Sequence, residues 1–170
     1  MLLLQQSLDL NKRIIIFKSY IVKIIIKGGI NLIDLNEIIE GLEYVNSCPD
    51  ENVYYNTETK EVFYPDDLEY GEDDENLYEV MDKSIKLPSK YEINEYGMMQ
   101  EFIEIIENDL IYNKLLSAIN GRGAFRRFKD TCIDLDIIDD RYKFRDEKYS
   151  KIAINCCKEN NIKFKEEEIC

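Results

Sequence analysis

The sequence predicts an α+β domain: an N-terminal helix, a small antiparallel hairpin or three-stranded sheet, and then four packed α-helices. Three observations carry that expectation. Apolar residues recur at the three- and four-residue spacing of an amphipathic helix over residues 35–45 and through most of the second half. Two short β-prone runs flank a polar turn between those stretches. A hydrophobic content of 45% in 170 residues suffices for one core in spite of a formal charge of -13.

The first segment, residues 1–29, is basic while the remainder is acidic. Lys12, Arg13, Lys18, Lys23 and Lys27 stand against the single acid Asp9. No run of roughly 18 uncharged residues exists there, so no membrane span is expected. The charges interleave with the apolar residues instead of preceding them, which does not fit a signal peptide. The segment reads as an appended strand or helix, or as an extension from an upstream start codon, with an interfacial anchor as the alternative. One globular domain is expected over residues 30–164, with a tail at 165–170.

In the domain, Leu35, Ile38, Ile39, Leu42 and Val45 define the first helix, with Asp34 or Asn36 placed to cap it and Pro49 to end it. Residues 53–56 and 61–64 form a hairpin around Thr57, Glu58, Thr59 and Lys60. Residues 66–75 carry many carboxylates and Gly71, without the alternating ligand order of a calcium loop, so a solvated acidic loop is expected. Residues 84–87 alternate before Pro88 and supply a third strand. Three apolar stripes follow. Met98, Met99, Phe102, Ile105 and Ile106 form the first; Leu110, Leu115, Leu116 and Ile119 the second; Tyr142, Tyr149, Ile152, Ala153 and Cys156 the third.

Composition removes several chemistries. The chain contains no histidine, which excludes Ser-His-Asp and Cys-His catalysis. Its five cysteines, Cys48, Cys132, Cys156, Cys157 and Cys170, include no Cys-x-x-Cys pair and read as reduced thiols of a cytoplasmic protein. No metal site and no cofactor are expected. The negative charge repels phosphate as a mean field, so contact with nucleic acid requires a local basic patch.

One such patch exists. Gly121, Arg122, Gly123, Ala124, Phe125, Arg126, Arg127, Phe128, Lys129 and Asp130 join two helical stretches. If Gly121 closes one helix in a left-handed conformation and Gly123 opens the next, unpaired amides and the side chains of Arg122, Arg126, Arg127 and Lys129 converge at a helix N-terminus, as an anion site requires. Phe125, Phe128 and Cys132 would bury one face of that helix. The alternative is purely structural: Gly121 as a C-cap, with the arginines paired to surplus acids. Arg141, Lys143 and Arg145, with Lys148, extend the patch if their helix packs alongside, although Asp139, Asp140, Asp146 and Glu147 lie among them.

The stretch 121–130, followed by Tyr142, Lys143, Phe144, Arg145, Asp146, then Ile152, Ala153 and Glu159, Asn160, Asn161, Ile162, resembles the signature of a bacterial family, uncharacterised protein family 0158. Ile85, Lys86, Leu87 and Pro88, then Glu95, Tyr96, Gly97, Met98 and Met99 with Phe102 and Ile103, are similar to its middle portion. The resemblance covers about residues 32 to 162. It implies no activity, because the family has none assigned. This chain departs from the pattern where the family often has tryptophan, at Arg141 and Cys156, and where it often has glycine in the hairpin turn, at Lys60.

Three functions are compatible with these residues. A non-catalytic interaction module with a protein partner comes first, because the stripes and charged faces contain no convergent acid, base or nucleophile. Phosphate or nucleic-acid binding through the residues 121–129 is the second. A histidine-independent enzyme is the third.

Overall fold

The computed structural model describes residues 32–47, 52–64 and 74–165, the side chains of 74–77 excepted. The extension at 1–29, Cys48, Pro49, most of the acidic stretch, Cys170 and the tail beyond 165 lie outside the described residues. Strand β1, Ile33–Asp34, runs straight into helix α1, Leu35–Ser47. Asp34 makes the turn: its Oδ1 accepts the Asn36 amide at 3.0 Å. Helix α1 buries Ile38, Gly41, Leu42 and Val45. A Cβ on Gly41 would meet Leu87 Cδ1 at 2.6 Å and Val62 Cγ2 at 3.1 Å, so this helix lies directly against the sheet.

The sheet is β2 Tyr54–Asn56, β3 Glu61–Phe63 and β4 Ser84–Lys86, antiparallel throughout in the order β3-β2-β4. Asn56 is buried, and its Oδ1 accepts the amides of Glu58 and Thr59, both at 2.9 Å, which closes the hairpin turn. Lys60 ends that turn at φ 61°, a left-handed conformation that glycine adopts without cost. Its ammonium reaches Glu37 at 3.3 Å, and Tyr55 donates its hydroxyl to the same carboxylate, so the hairpin is tied to α1 by one acid. Before β4 lies helix α2, Asp74–Asp82, which begins inside the stretch expected to be loop. Lys83 holds its end by pairing with Glu79 at 2.9 Å and with Glu58 of the hairpin turn at 3.1 Å.

The helical half comprises a single turn, α3 Lys90–Ile93, then α4 Glu95–Glu104, α5 Asp109–Ala118, α6 Ala124–Asp134 and α7 Ile138–Glu159. Ser89 and Glu92 form a capping box on α3. Asn94, at φ 51°, ends α3 and caps α4 through the Gly97 amide. The described chain ends in β5, Phe164–Lys165, parallel to β1 with Ile33 opposite Phe164. Two-residue strands have no periodicity, and this pairing left no trace in the sequence.

Two cores result. In the first, Ile38, Leu42 and Val45 of α1 meet Val53, Tyr55 and Leu87 of the sheet region and Tyr149, Ala153, Cys156 and Cys157 of α7. In the second, Met99, Phe102 and Ile103 of α4, Leu115 of α5 with its C-cap Ile119, and Phe128 and Cys132 of α6 pack together, with Phe144 of α7 against them. Helices α4 and α7 contribute to both, so they couple the halves.

Several stripe members face outward. Ile105, Leu110, Leu116 and Tyr142 are exposed, contrary to the stripe expectation. Helix α4 stops at Glu104 with Ile105 as its C-cap, so the helical phase ends there and Ile103 takes the inward place. Phe125 is corrected for a similar reason. The buried line of α6 is Ala124, Phe128 and Cys132, four residues apart, which puts Phe125 on the adjacent outward line at 47% exposure.

Candidate functional site

In the turn between α5 and α6, Gly121 takes the left-handed conformation expected of it, at φ 77°, and Gly123, expected only to open the next helix, is left-handed as well, at φ 80°. A Cβ on Gly121 would meet nothing within 4 Å, so conformation and not space requires glycine there. Gly123 is the N-cap of α6, and no side chain caps that helix start. Tyr96, on α4, donates its hydroxyl to the Ile119 carbonyl at 3.2 Å, and its ring meets Phe125 edge-on with centroids 6.5 Å apart.

The four cations of the turn divide into two kinds. Arg127 folds back over the turn and donates to the carbonyls of Asn120, Arg122 and, at 3.5 Å, Gly121. These are the orphan acceptors beyond a helix C-terminus, so Arg127 is a structural clasp. Arg126 instead has a side chain 90% exposed, with one loose contact to Asp130 at 3.8 Å. The side chains of Arg122 and Lys129 are exposed and make no hydrogen bond or ion pair among the described residues. The outward line of α6 therefore reads Phe125, Lys129 and Ile133, with Arg126 beside it and Arg122 at its head. Ile133 is 51% exposed.

The second cluster does not extend this surface as a unit. Lys143 is exposed, and Arg141 lies half-buried over the Tyr142 ring at 5.1 Å. Arg145 turns inward to the seam between α1, α4 and α7. Its Nε donates to Glu95 Oε1 at 2.9 Å, its Nη1 to Glu43 at 2.8 Å, and its guanidinium covers the Tyr149 ring at 4.2 Å. Tyr149 donates its hydroxyl to the same Glu95 oxygen at 2.7 Å. Burial alone would raise the Glu95 carboxyl, but the bonds from Tyr149 and Arg145 outweigh it and hold the group below its ordinary value. Burial, with Glu95 behind it, pushes the Tyr149 phenol up. Lys148 closes the seam on Glu101. These partners are 47 to 102 residues apart along the chain, and no local pattern pairs them.

Little else in the described residues offers chemistry. The depression lined by Glu95, Met98, Phe102, Phe128, Arg141 and Arg145 encloses about 10 Å³. That is room for one water, against roughly 300 Å³ or more for a ligand pocket. Cys132, Cys156 and Cys157 are free and buried. Desolvation pushes the Cys132 and Cys156 thiols up to about 11, which keeps them protonated and unreactive near neutral pH. No group of three or more acidic or cysteine side chains is arranged to hold a metal ion among the described residues, and no described helix is long and apolar enough to cross a membrane.

The sequence reading missed Tyr96 and Ile133 as parts of this surface. The exposure of Ile133 follows once Ala124 is placed on the buried line, since the two residues are nine apart on α6. Nothing in the sequence signals the reach of Tyr96 to Ile119.

Comparison with known proteins adds a family and no activity. No solved structure matches the chain. A UPF0158 protein of Pseudomonas aeruginosa is 27% identical over 67 residues, 39% of this chain and 44% of the relative, so the match spans less than half of that protein. The profile of the uncharacterised protein family UPF0158 matches residues 32–169, and the chain belongs to that family.

Proposed function

We propose that this domain is a non-catalytic protein-interaction module of the reducing cytoplasm, and that the outward face of α6 receives an acidic partner segment carrying apolar side chains. One observation carries the reading: Phe125 and Ile133 stand half-exposed on a helix whose cations Arg122, Arg126 and Lys129 lack strong partners, on a chain that is otherwise acidic. Half-exposed apolar side chains rimmed by charge are the usual anatomy of a docking surface. Charge complementarity selects carboxylates in the partner. The clasp formed by Arg127 fixes the turn, so the face is preorganised. Buried, protonated thiols suit a reducing compartment.

A second reading, binding of phosphate or nucleic acid, is favoured by the uncapped start of α6 beside Arg122 and Arg126. Affinity capture from a bacterial lysate separates the two, with the full chain as bait, with and without nuclease. The module reading expects a protein that survives nuclease, is released by salt and is lost with the double variant Phe125→Ala, Arg126→Glu. Capture indifferent to that variant overturns the face, and capture abolished by nuclease transfers the site to nucleic acid.

A further inference from the structure

Asn120 precedes Gly121, and this is the one asparagine-glycine step in the sequence. Both residues sit at the exposed end of α5, at the centre of the basic turn. Among the described residues no hydrogen bond occupies the Gly121 amide, and apart from Gly121 and its chain neighbours Asn120 and Arg122 no atom lies within 4 Å of where its Cβ would be. The carbonyl of that same peptide bond, Asn120 O, accepts from the Arg127 guanidinium. A cation bonded to a peptide oxygen stabilises the negative charge that develops there when the nitrogen of the same amide loses its proton.

We propose that Asn120 is a spontaneous modification site at which the chain converts its own amide to a carboxylate, with Arg127 promoting the reaction. The Gly121 nitrogen gives its proton to a solvent base and attacks Cγ of Asn120. The N–Cγ bond forms, the Cγ–Nδ2 bond breaks, and ammonia leaves with a proton from water, giving a cyclic imide. Water then opens the ring. Opening at Cγ gives aspartate; opening at the backbone carbonyl gives isoaspartate, with one extra methylene in the main chain. The sum is amide plus water to carboxylic acid plus ammonia, and no other reagent is needed. The Asn120 side-chain amide donates to Leu116 O at 2.8 Å, a single bond at an exposed helix end that fraying releases.

Either product sets a new carboxylate among Arg122, Arg126 and Arg127, and isoaspartate also shifts the carbonyls that Arg127 clasps. The basic face would thereby lose attraction for an acidic partner as the protein ages. That consequence rests on the reading of α6 as a docking face; the modification itself does not.

The test follows the tryptic peptide 115–122 by mass spectrometry, with isoaspartate detected by methyltransferase labelling. The full chain is incubated at mildly alkaline pH, once folded and once in urea. The proposal expects Asn120 to convert in the folded chain ahead of every other asparagine, and several-fold more slowly in folded Arg127→Gln. Asn120 intact in the folded chain under conditions that convert the unfolded chain overturns the site, and an equal or faster rate in Arg127→Gln overturns the part given to the arginine. Neither readout depends on binding, so a failed docking face leaves this result legible.

Discussion

Phe125 and Phe128 belong to one helix and do different things. Phe128 is 1% exposed and meets Phe102 edge-on at 6.2 Å, whereas Phe125 is half-exposed with only the Tyr96 ring beside it among the described aromatic contacts. Truncation of Phe128 to alanine should therefore cost about 3–5 kcal/mol, as for a filled core position. The same change at Phe125 should cost about 1 kcal/mol, the scale of one edge-on aromatic contact. Urea midpoints of the two variants check this, and equal losses would put Phe125 in the core. At Lys60, the left-handed end of the hairpin turn is held by a residue other than glycine. Its φ of 61° is a conformation that glycine holds freely, and the lysine returns an ion pair to Glu37 for the backbone it must adopt.

Helices α1, α4 and α7 meet at the Glu43, Arg145, Glu95 and Tyr149 network, the point at which the two cores are joined. The Glu95 side chain is only 12% exposed, so Arg145→Met leaves a mostly buried carboxylate without its cation and should destabilise by about 3 kcal/mol near neutral pH. The folded Glu95 value is depressed below its ordinary 4.5. Its contribution is thus fully present above that value and is lost as pH falls through the folded one. The gap between wild type and Arg145→Met should narrow on acidification, measured as unfolding free energy near pH 7 and at about pH 3. A constant gap would mean that Arg145 contributes through packing over Tyr149 alone. This network also marks the limit of reading along the chain. Helix positions and the hairpin were legible because their signals are local, in the apolar spacing of α1 and the polar turn at 57–60. The partner of Arg145 is set by how α4 and α7 cross, and among the acids that surround Arg145 in sequence only Asp146 comes near it, at 4.0 Å.

At the scale of the molecule, an acidic chain folds around two cores and leaves one helix face carrying cations with little to neutralise them. The sequence showed the glycine-arginine turn and the left-handed Gly121, since left-handed backbone has a residue preference of its own, but not that Gly123 is left-handed too. It did not show how the cations divide, because Arg126 and Arg127 are neighbours and only the path of the turn sends one to the carbonyls and the other to solvent. The account depends on that division: Arg122 and Arg126 serve the surface and contribute little to the fold. The double variant Arg122→Gln, Arg126→Gln, unfolded in urea beside the wild type, tests it most directly. The account predicts a change within about 1 kcal/mol, the range of exposed ion pairs. A loss on the order of 3 kcal/mol or more, the scale of a broken buried pair, would contradict it and make these arginines part of the scaffold.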